Sequence, residues 1–476
     1  MLFNSWKFML FFAMVLPIYW LLDKKKQNLF LVTASYVFYS AWDYRFTALL
    51  LGNTAIGFYC GKKIFAARTP STRKFFLLFS IVYNIGTLCV FKYYGFFIDN
   101  FQSLLSKGGI EFQIPYLNII LPIGISFFNF HVLSYTIDLY RKEMEPTPRF
   151  TDFALFVSFF PLLVAGPIER AKHFLPQIEA KRIFLNPQFR QGLWLFFWGL
   201  WKKVFVAENL APLVDQGFLH AGNLSFPTLY LTLVAFAFQI YCDFSGYTDM
   251  ARGCAILMGF ELLTNFNLPY FATNPSDFWK RWHISLSSWL RDYLYFGLGG
   301  NRKGKSNTYR NLFLTMAIGG LWHGAAWNYV LWGIYQGLIL IGFHFYNGRV
   351  KWQLPRYLSM AIMFQFTLFG WLLFRANRSI LQNGHRIDDS LNQMKEIIFS
   401  SHALFQFDQQ FTELFLAMSF YIAPLLLVQL FQYRSHELGT INFLPKPMRI
   451  IFQAFILFLI VRYGVQNAGS FIYFQF

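Results

Sequence analysis

The chain has 476 residues, of which 56% are hydrophobic and only 13% charged. Soluble proteins carry about 25% charged residues; this composition, with repeated apolar runs of membrane-spanning length, excludes a soluble enzyme and indicates an all-α polytopic membrane protein. The net charge of +18 does not imply nucleic acid here, because basic residues also collect in cytoplasmic loops and at anionic lipid, and a basic cytoplasmic face suits an anionic substrate.

The first five spans are predicted at 8–22, 28–42, 46–60, 75–98 and 117–139. The first is expected to be a retained span, since Lys24, Lys25 and Lys26 follow it and no small-residue cleavage site is visible. The loops alternate in basicity. Lys24 to Lys26 fill the first, Arg45 alone marks the second, and Lys62, Lys63, Arg68, Arg73 and Lys74 fill the third. Lys107 stands alone in the fourth, and Arg141, Lys142 and Arg149 fill the fifth. The positive-inside rule then predicts an extracytoplasmic N-terminus. Further apolar segments fall at 153–165, 192–207, 226–242, 311–322, 327–345, 357–374, 413–431 and 450–465. The expectation is a single membrane domain, residues 1–476, of about ten to thirteen transmembrane and re-entrant helices. Residues 375–410 form the most polar long stretch and predict an extramembrane loop with one short amphipathic helix. Cys60, Cys89, Cys242 and Cys254 sit in apolar runs without a C-x-x-C pair and read as buried free thiols.

Three polar features interrupt this pattern. The first is His323, in Leu321-Trp322-His323-Gly324-Ala325-Ala326-Trp327. An ionisable side chain at membrane depth is costly and faces a partner or a wet cavity. The small residues around it permit close packing or leave room for a ligand, with Trp322 and Trp327 as walls. A neutral imidazole there suits proton abstraction from a hydroxyl nucleophile.

The second feature is the segment from Asp277 to Gly304. At helical spacing Trp282, Leu286, Trp289 and Tyr293 share one face, and His283, Ser287 and Arg291 follow one another on a second. Asn274 to Asp277 offers caps for its start. Two readings stay open: an interfacial amphipathic helix, or a re-entrant helix with His283 pointing into a cavity. Inside this region Gly299 to Ser306 fits the phosphate-loop pattern G-x-x-x-x-G-K-S. That pattern requires a preceding buried strand in an α/β domain, whereas an aromatic amphipathic segment precedes it here; a basic glycine-rich cytoplasmic loop is expected.

The third feature is a set of scattered polar groups, His131, Asp138, Asp243 and Asp249. The last two flank a Ser245-Gly246 pair that suggests a helix break. They either line a cavity or bond structurally to backbone and tyrosine hydroxyls. Breaks or helix ends are also expected at Pro122 to Ser126 and at Ala165 to Arg170.

Several of these segments together resemble the membrane-bound O-acyltransferase family, in the branch that acetylates alginate or transfers D-alanine. The resemblance rests on Leu121-Pro-Ile-Gly-Ile-Ser-Phe127, Phe160-Pro-Leu-Leu-Val-Ala-Gly-Pro167, Asp243-Phe-Ser-Gly-Tyr-Thr-Asp249, the Trp279 to Gly300 stretch, Trp322-His-Gly324 and the ending Phe471 to Phe476. It implies a helical bundle around a funnel, with His323 as the catalytic histidine and His283 as the second histidine. It also implies an acyl thioester donor such as acetyl-CoA on the cytoplasmic side, and no metal. The acyl group would pass by way of a periplasmic acetyltransferase partner to a polysaccharide, from a protein embedded in the lipids of the bacterial inner membrane. Trp282, Ser287, Arg291, Asp292, Trp322 and Asp243 are the candidate donor-binding residues. Two alternatives remain: transfer of D-alanine from a carrier protein to teichoic acid, and a transporter using the histidines as proton relays.

Overall fold

The structure, a computed structural model, describes all residues except 111–116, 118, 165, 348–353, 377–378, 383–384, 400–405, 440–443, 466–471 and 473–476. Ala165 and all but Ile472 of the 471–476 ending therefore lie outside the described residues. The described chain is helical apart from one short antiparallel hairpin, β1 (Ser379–Gln382) with β2 (His385–Asp388).

The N-terminal helices follow the apolar runs: α1 (Trp6–Leu21), α2 (Lys24–Ser40) and α3 (Arg45–Ala66). The fourth run lies in a 38-residue helical stretch, Pro70–Lys107. It comprises α4 (Pro70–Leu88), a π-helical turn (Cys89–Tyr93) and α5 (Tyr94–Lys107). Cys89 is exposed there. Its apolar neighbours Val82, Ile85 and Val90 are exposed as well, so an apolar run marks a lipid-facing surface as readily as a core.

The fifth run starts late. Pro122 cannot continue a helix, and Gly124 adopts φ 76° to cap α6 (Ile125–Tyr140). The run at 153–165 divides into α7 (Phe150–Ser158) and α8 (Phe160–Leu163), followed by α9 (Ala171–Glu179) and α10 (Asn186–Trp201). A π-helical turn (Lys202–Ala207) leads into α11 (Glu208–Leu219).

The expected break at Ser245-Gly246 does not occur. α12 (Phe226–Leu257) runs through it for 32 residues. A Cβ on Gly246 would stand 2.6 Å from the Gly199 carbonyl oxygen, so glycine here serves helix contact rather than a turn.

After α12 come α13 (Pro275–Trp279), α14 (Ile284–Trp289) and a π-helical stretch (Leu290–Tyr295), then α15 (Gly304–His323), α16 (Trp327–Asn347) and α17 (Arg356–Arg375). The polar loop holds its short helix, α18 (Ser390–Phe399). The chain closes with α19 (Gln409–Ser435) and α20 (Lys446–Tyr463). Five described helices are long and apolar enough to cross a membrane: Pro70–Lys107, Phe226–Leu257, Trp327–Asn347, Arg356–Arg375 and Gln409–Ser435. The chain is a multi-pass membrane protein.

The chain divides into two compact units, Met1–Phe197 with Tyr247–Leu263, and Trp198–Gly246 with Thr264–Phe476. In the first, polar side chains join helices: Asn129 Nδ2–H donates to the Asn84 carbonyl at 3.2 Å, and Ser80 and Thr136 hydroxyls meet at 3.2 Å. His131 and Asp138 belong to this unit. His131 Nε2 accepts from the Glu169 backbone N–H at 3.3 Å, and Asp138 lies 4.0 Å from Lys172. In the second unit the antiparallel pair α15 and α16 packs almost backbone to backbone. A Cβ on Gly320 would lie 2.3 Å from the Tyr329 carbonyl oxygen and 2.8 Å from Gly333 Cα. Only glycines allow that approach.

Candidate active site

Both predicted histidines belong to the second unit, and one indole ring lies near both. Trp322 lies 6.3 Å from the His283 ring and 5.0 Å from the His323 ring, between centroids. Residues forty apart in sequence are thus brought to one place.

His283 is fully buried. It does not sit within a continuous helix, as its spacing suggests, but in the break between α13 and α14, with φ 42° and ψ 54°. Asn274 caps α13 as expected, its side-chain oxygen accepting from the Asp277 N–H at 2.8 Å. The chain then turns, and the 265–267 strip pairs with it: Ile284 N–H donates to the Asn265 carbonyl and Asn267 N–H to the Arg281 carbonyl, both at 2.9 Å.

The Asn265 side chain fixes the imidazole. Its Oδ1 accepts from the Ser285 N–H at 3.2 Å and the Ser285 hydroxyl at 3.0 Å, and lies 3.1 Å from His283 Nδ1. An oxygen already accepting makes Nδ1–H the donor, so the neutral ring keeps its lone pair on Nε2. The Phe244 ring meets His283 edge-on at 4.6 Å and limits its rotation.

His323 is the last residue of α15, is 5% exposed, and is followed by the extended Gly324. Trp322 and Trp332 each approach its ring at 5.0 Å, and Phe374 at 5.5 Å. Trp327 opens α16 at 39% exposure, with its backbone N–H donating to Asp388. Trp332, one and a half turns further along, supplies the wall.

The other candidates separate. Trp282 is buried among rings, stacked on Phe278 at 5.8 Å and touching Trp371 at 4.8 Å. Leu286, Trp289 and Tyr293 are buried as their shared face predicts. The second face does not form. With His283 outside the helix, Ser287 Oγ–H donates to the Trp282 carbonyl at 3.1 Å, and an exposed Arg291 pairs with Asp292 at 2.7 Å. Asp243 belongs to a buried ion cluster with Lys203 and Glu208, and also accepts from the Ile472 N–H at 2.8 Å. Asp249 lies 3.6 Å from Arg252. Asp243 thus has cation and backbone partners, and Asp249 a cation partner.

The Gly299 to Ser306 loop follows a π-helical stretch rather than a strand, so it lacks the frame of a phosphate loop. A cavity of about 1050 Å³ opens between α16 and α17, with Asn274, Asp277 and Arg356 among its lining; neither histidine lines it. Among the described residues no group of three His, Cys, Asp or Glu could hold a metal. Asn265, Trp332 and Phe374 were not read as site residues from sequence. Asn265 leaves a faint signal, as one of two amides in the apolar run Leu262 to Leu268; Phe374 leaves none, being one phenylalanine among 62.

Residues 38–381 match the model of the MBOAT, membrane-bound O-acyltransferase, family. The chain belongs to this family. It is therefore an O-acyltransferase. It is 42% identical over 392 residues to the probable alginate O-acetylase AlgI of Pseudomonas putida, covering 79% of this chain and 77% of that protein. It is 38% identical over 378 residues to the peptidoglycan O-acetyltransferase of Helicobacter pylori, covering 73% and 71%. The teichoic acid D-alanyltransferase of Bacillus subtilis is 30% identical over 289 residues, covering 55% and 70%.

Proposed function

We propose that this O-acyltransferase moves an acetyl group from a cytoplasmic thioester, such as acetyl-CoA, to an extracytoplasmic hydroxyl during O-acetylation of an exported, alginate-like polysaccharide. The observation that carries the chemistry is the pair of buried histidines whose rings both approach Trp322 in a chain whose similar relatives include two kinds of O-acetyl-transferring protein. The basic loops at Lys24 to Lys26 and Lys62 to Lys74 support a cytoplasmic anionic donor and an extracytoplasmic N-terminus. A periplasmic acetyltransferase is the proposed partner that carries the group to the glycan.

His323 is the proposed general base. It takes the acceptor hydroxyl proton while the oxygen attacks the thioester carbonyl carbon; the carbon–sulfur bond then breaks and the thiolate leaves with that proton. His283, close to the same indole, orients the donor. Direct transfer is preferred to a covalent enzyme intermediate, because Ser285 and Ser287, the serines beside His283, are committed to structural hydrogen bonds.

Two measurements test this. Deleting the gene should remove O-acetyl groups from exported glycans. His323→Ala should leave the protein inserted and folded, with acyl transfer lower by at least about a hundredfold. Unaltered glycan acetylation, or full activity of that variant, would falsify the reading. Loss of D-alanyl esters instead would redirect it to a carrier-protein donor.

A further inference from the structure

The His323 imidazole stands in a narrow aromatic box. Trp322 of α15 and Trp332 of α16 approach it at 5.0 Å with interplanar angles of 73° and 88°, and Phe374 of α17 at 5.5 Å and 79°. A second layer backs these walls. Trp371 lies 6.4 Å from Trp332 and 5.7 Å from Phe374, and Trp279 abuts Trp332 at 5.8 Å. Trp332, Trp371 and Phe374 are each at most 2% exposed. Rings packed on rings do not yield to a longer guest.

The wall holds buried polar atoms without partners among the described residues, two of them on α16. Trp332 Nε1–H and Gln336 Oε1, one turn apart on α16, are buried without hydrogen-bond partners among the described residues. Both side chains reach Gly370 of α17, where a Cβ would stand 3.6 Å from Trp332 Nε1 and 2.8 Å from Gln336 Nε2, the other atom of that amide. Buried polar atoms are normally paired, and an indole N–H can only donate. The Trp332 indole N–H is thus a buried donor without an acceptor among the described residues.

We infer that this box is the acyl pocket, that Trp332 with Phe374 restricts the acyl group to acetyl size, and that Trp332 Nε1–H donates to the acyl carbonyl oxygen. The inference rests on the acyl transfer proposed above. In that reaction negative charge builds on the carbonyl oxygen as the acceptor oxygen bonds to carbon, and returns to sulfur as the thiolate departs. A donor held in a dry site is worth most at that moment.

The test uses the full chain in membrane vesicles of its own cells, which retain an extracytoplasmic partner, with acetyl-, butyryl- and hexanoyl-CoA, and thiol release is measured in the presence of alginate oligosaccharide. Binding of each thioester to the His323→Ala variant is measured alongside. The wild type should prefer acetyl over hexanoyl by on the order of a hundredfold in kcat/KM. Trp332→Ala should raise the hexanoyl-to-acetyl ratio at least about tenfold. Trp332→Phe keeps the bulk and removes the donor, so it should retain the chain-length preference with acetyl kcat lower by about a hundredfold. Phe374→Leu provides a second opening of the box should Trp332→Ala not accumulate as folded protein. Equal turnover of all three thioesters, or a wild-type ratio in Trp332→Ala and Phe374→Leu, removes the pocket alone. Wild-type kcat in Trp332→Phe removes the donor role. Absence of both binding and turnover for every thioester removes the coenzyme A donor of the proposed function and the pocket with it.

Discussion

His283 shows how much one side chain owes to residues that sequence spacing does not connect. Its left-handed backbone costs a non-glycine residue on the order of 1–3 kcal/mol and persists only where the surroundings hold it. Here the holding group is Asn265, whose backbone carbonyl and side-chain oxygen accept from Ile284 and Ser285 as well as facing His283. Replacing Asn265 by alanine leaves the buried Nδ1–H without this acceptor and removes the bond that sets the tautomer. The expected result is a thermal destabilisation of about 1–3 kcal/mol and, under the proposed mechanism, a fall in acyl transfer of roughly tenfold or more. Wild-type values of both in purified Asn265→Ala would show that His283 is positioned by something else. The two histidines were legible in the sequence because an ionisable ring in an apolar run is conspicuous. Asn265 was not, because an amide in a loop has no periodicity to violate.

At the scale of elements, α15 and α16 form the support on which His323 and Trp332 stand. Gly333 is the contact point, where a Cβ would meet the Met316 carbonyl oxygen at 2.5 Å and Gly320 Cα at 2.9 Å. Gly333→Leu cannot be absorbed by a flexible side chain, since the opposing atoms are backbone. It should cost at least about 1–3 kcal/mol and force the neighbouring Trp332 away from His323. Thermal unfolding in detergent and near-UV circular dichroism of the tryptophans would report both changes. The runs at 311–322 and 327–345 were read correctly from hydropathy, as were most other helices. The helical face predicted over His283, Ser287 and Arg291 failed for a definable reason. Residues at i and i+4 share a face only within one continuous α-helix, and here α14 begins at Ile284, after a break held by hydrogen bonds with Asn265 and Asn267, while Arg291 lies in the π-helical stretch.

At the scale of the molecule, the C-terminal part of the chain is tied into the second unit through a buried charge cluster. Lys203, in the π-helical turn after α10, bridges Glu208 and Asp243, and Asp243 accepts from Ile472. Lys203→Met would strand two carboxylates in an apolar interior, at a cost of about 3–5 kcal/mol. The expected outcome is a marked loss of folded protein in detergent, with Lys203→Met combined with Glu208→Gln and Asp243→Asn recovering part of it. A triple variant no more stable than Lys203→Met would show that the cluster is not a charge-balanced unit.

The amino-acid sequence by itself determined the helical membrane class, most helix positions, the two histidines and the family resemblance, because hydropathy and local motifs are properties of neighbouring residues. Tertiary structure decided which polar groups meet. It brought His283 close to Trp322, beside His323, set Asn265 against His283, gave Asp243 to Lys203, and closed Trp332 and Phe374 around His323. Those choices depend on contacts between residues far apart in the chain. In a chain with 62 phenylalanines, only the packing selects the one that touches the imidazole.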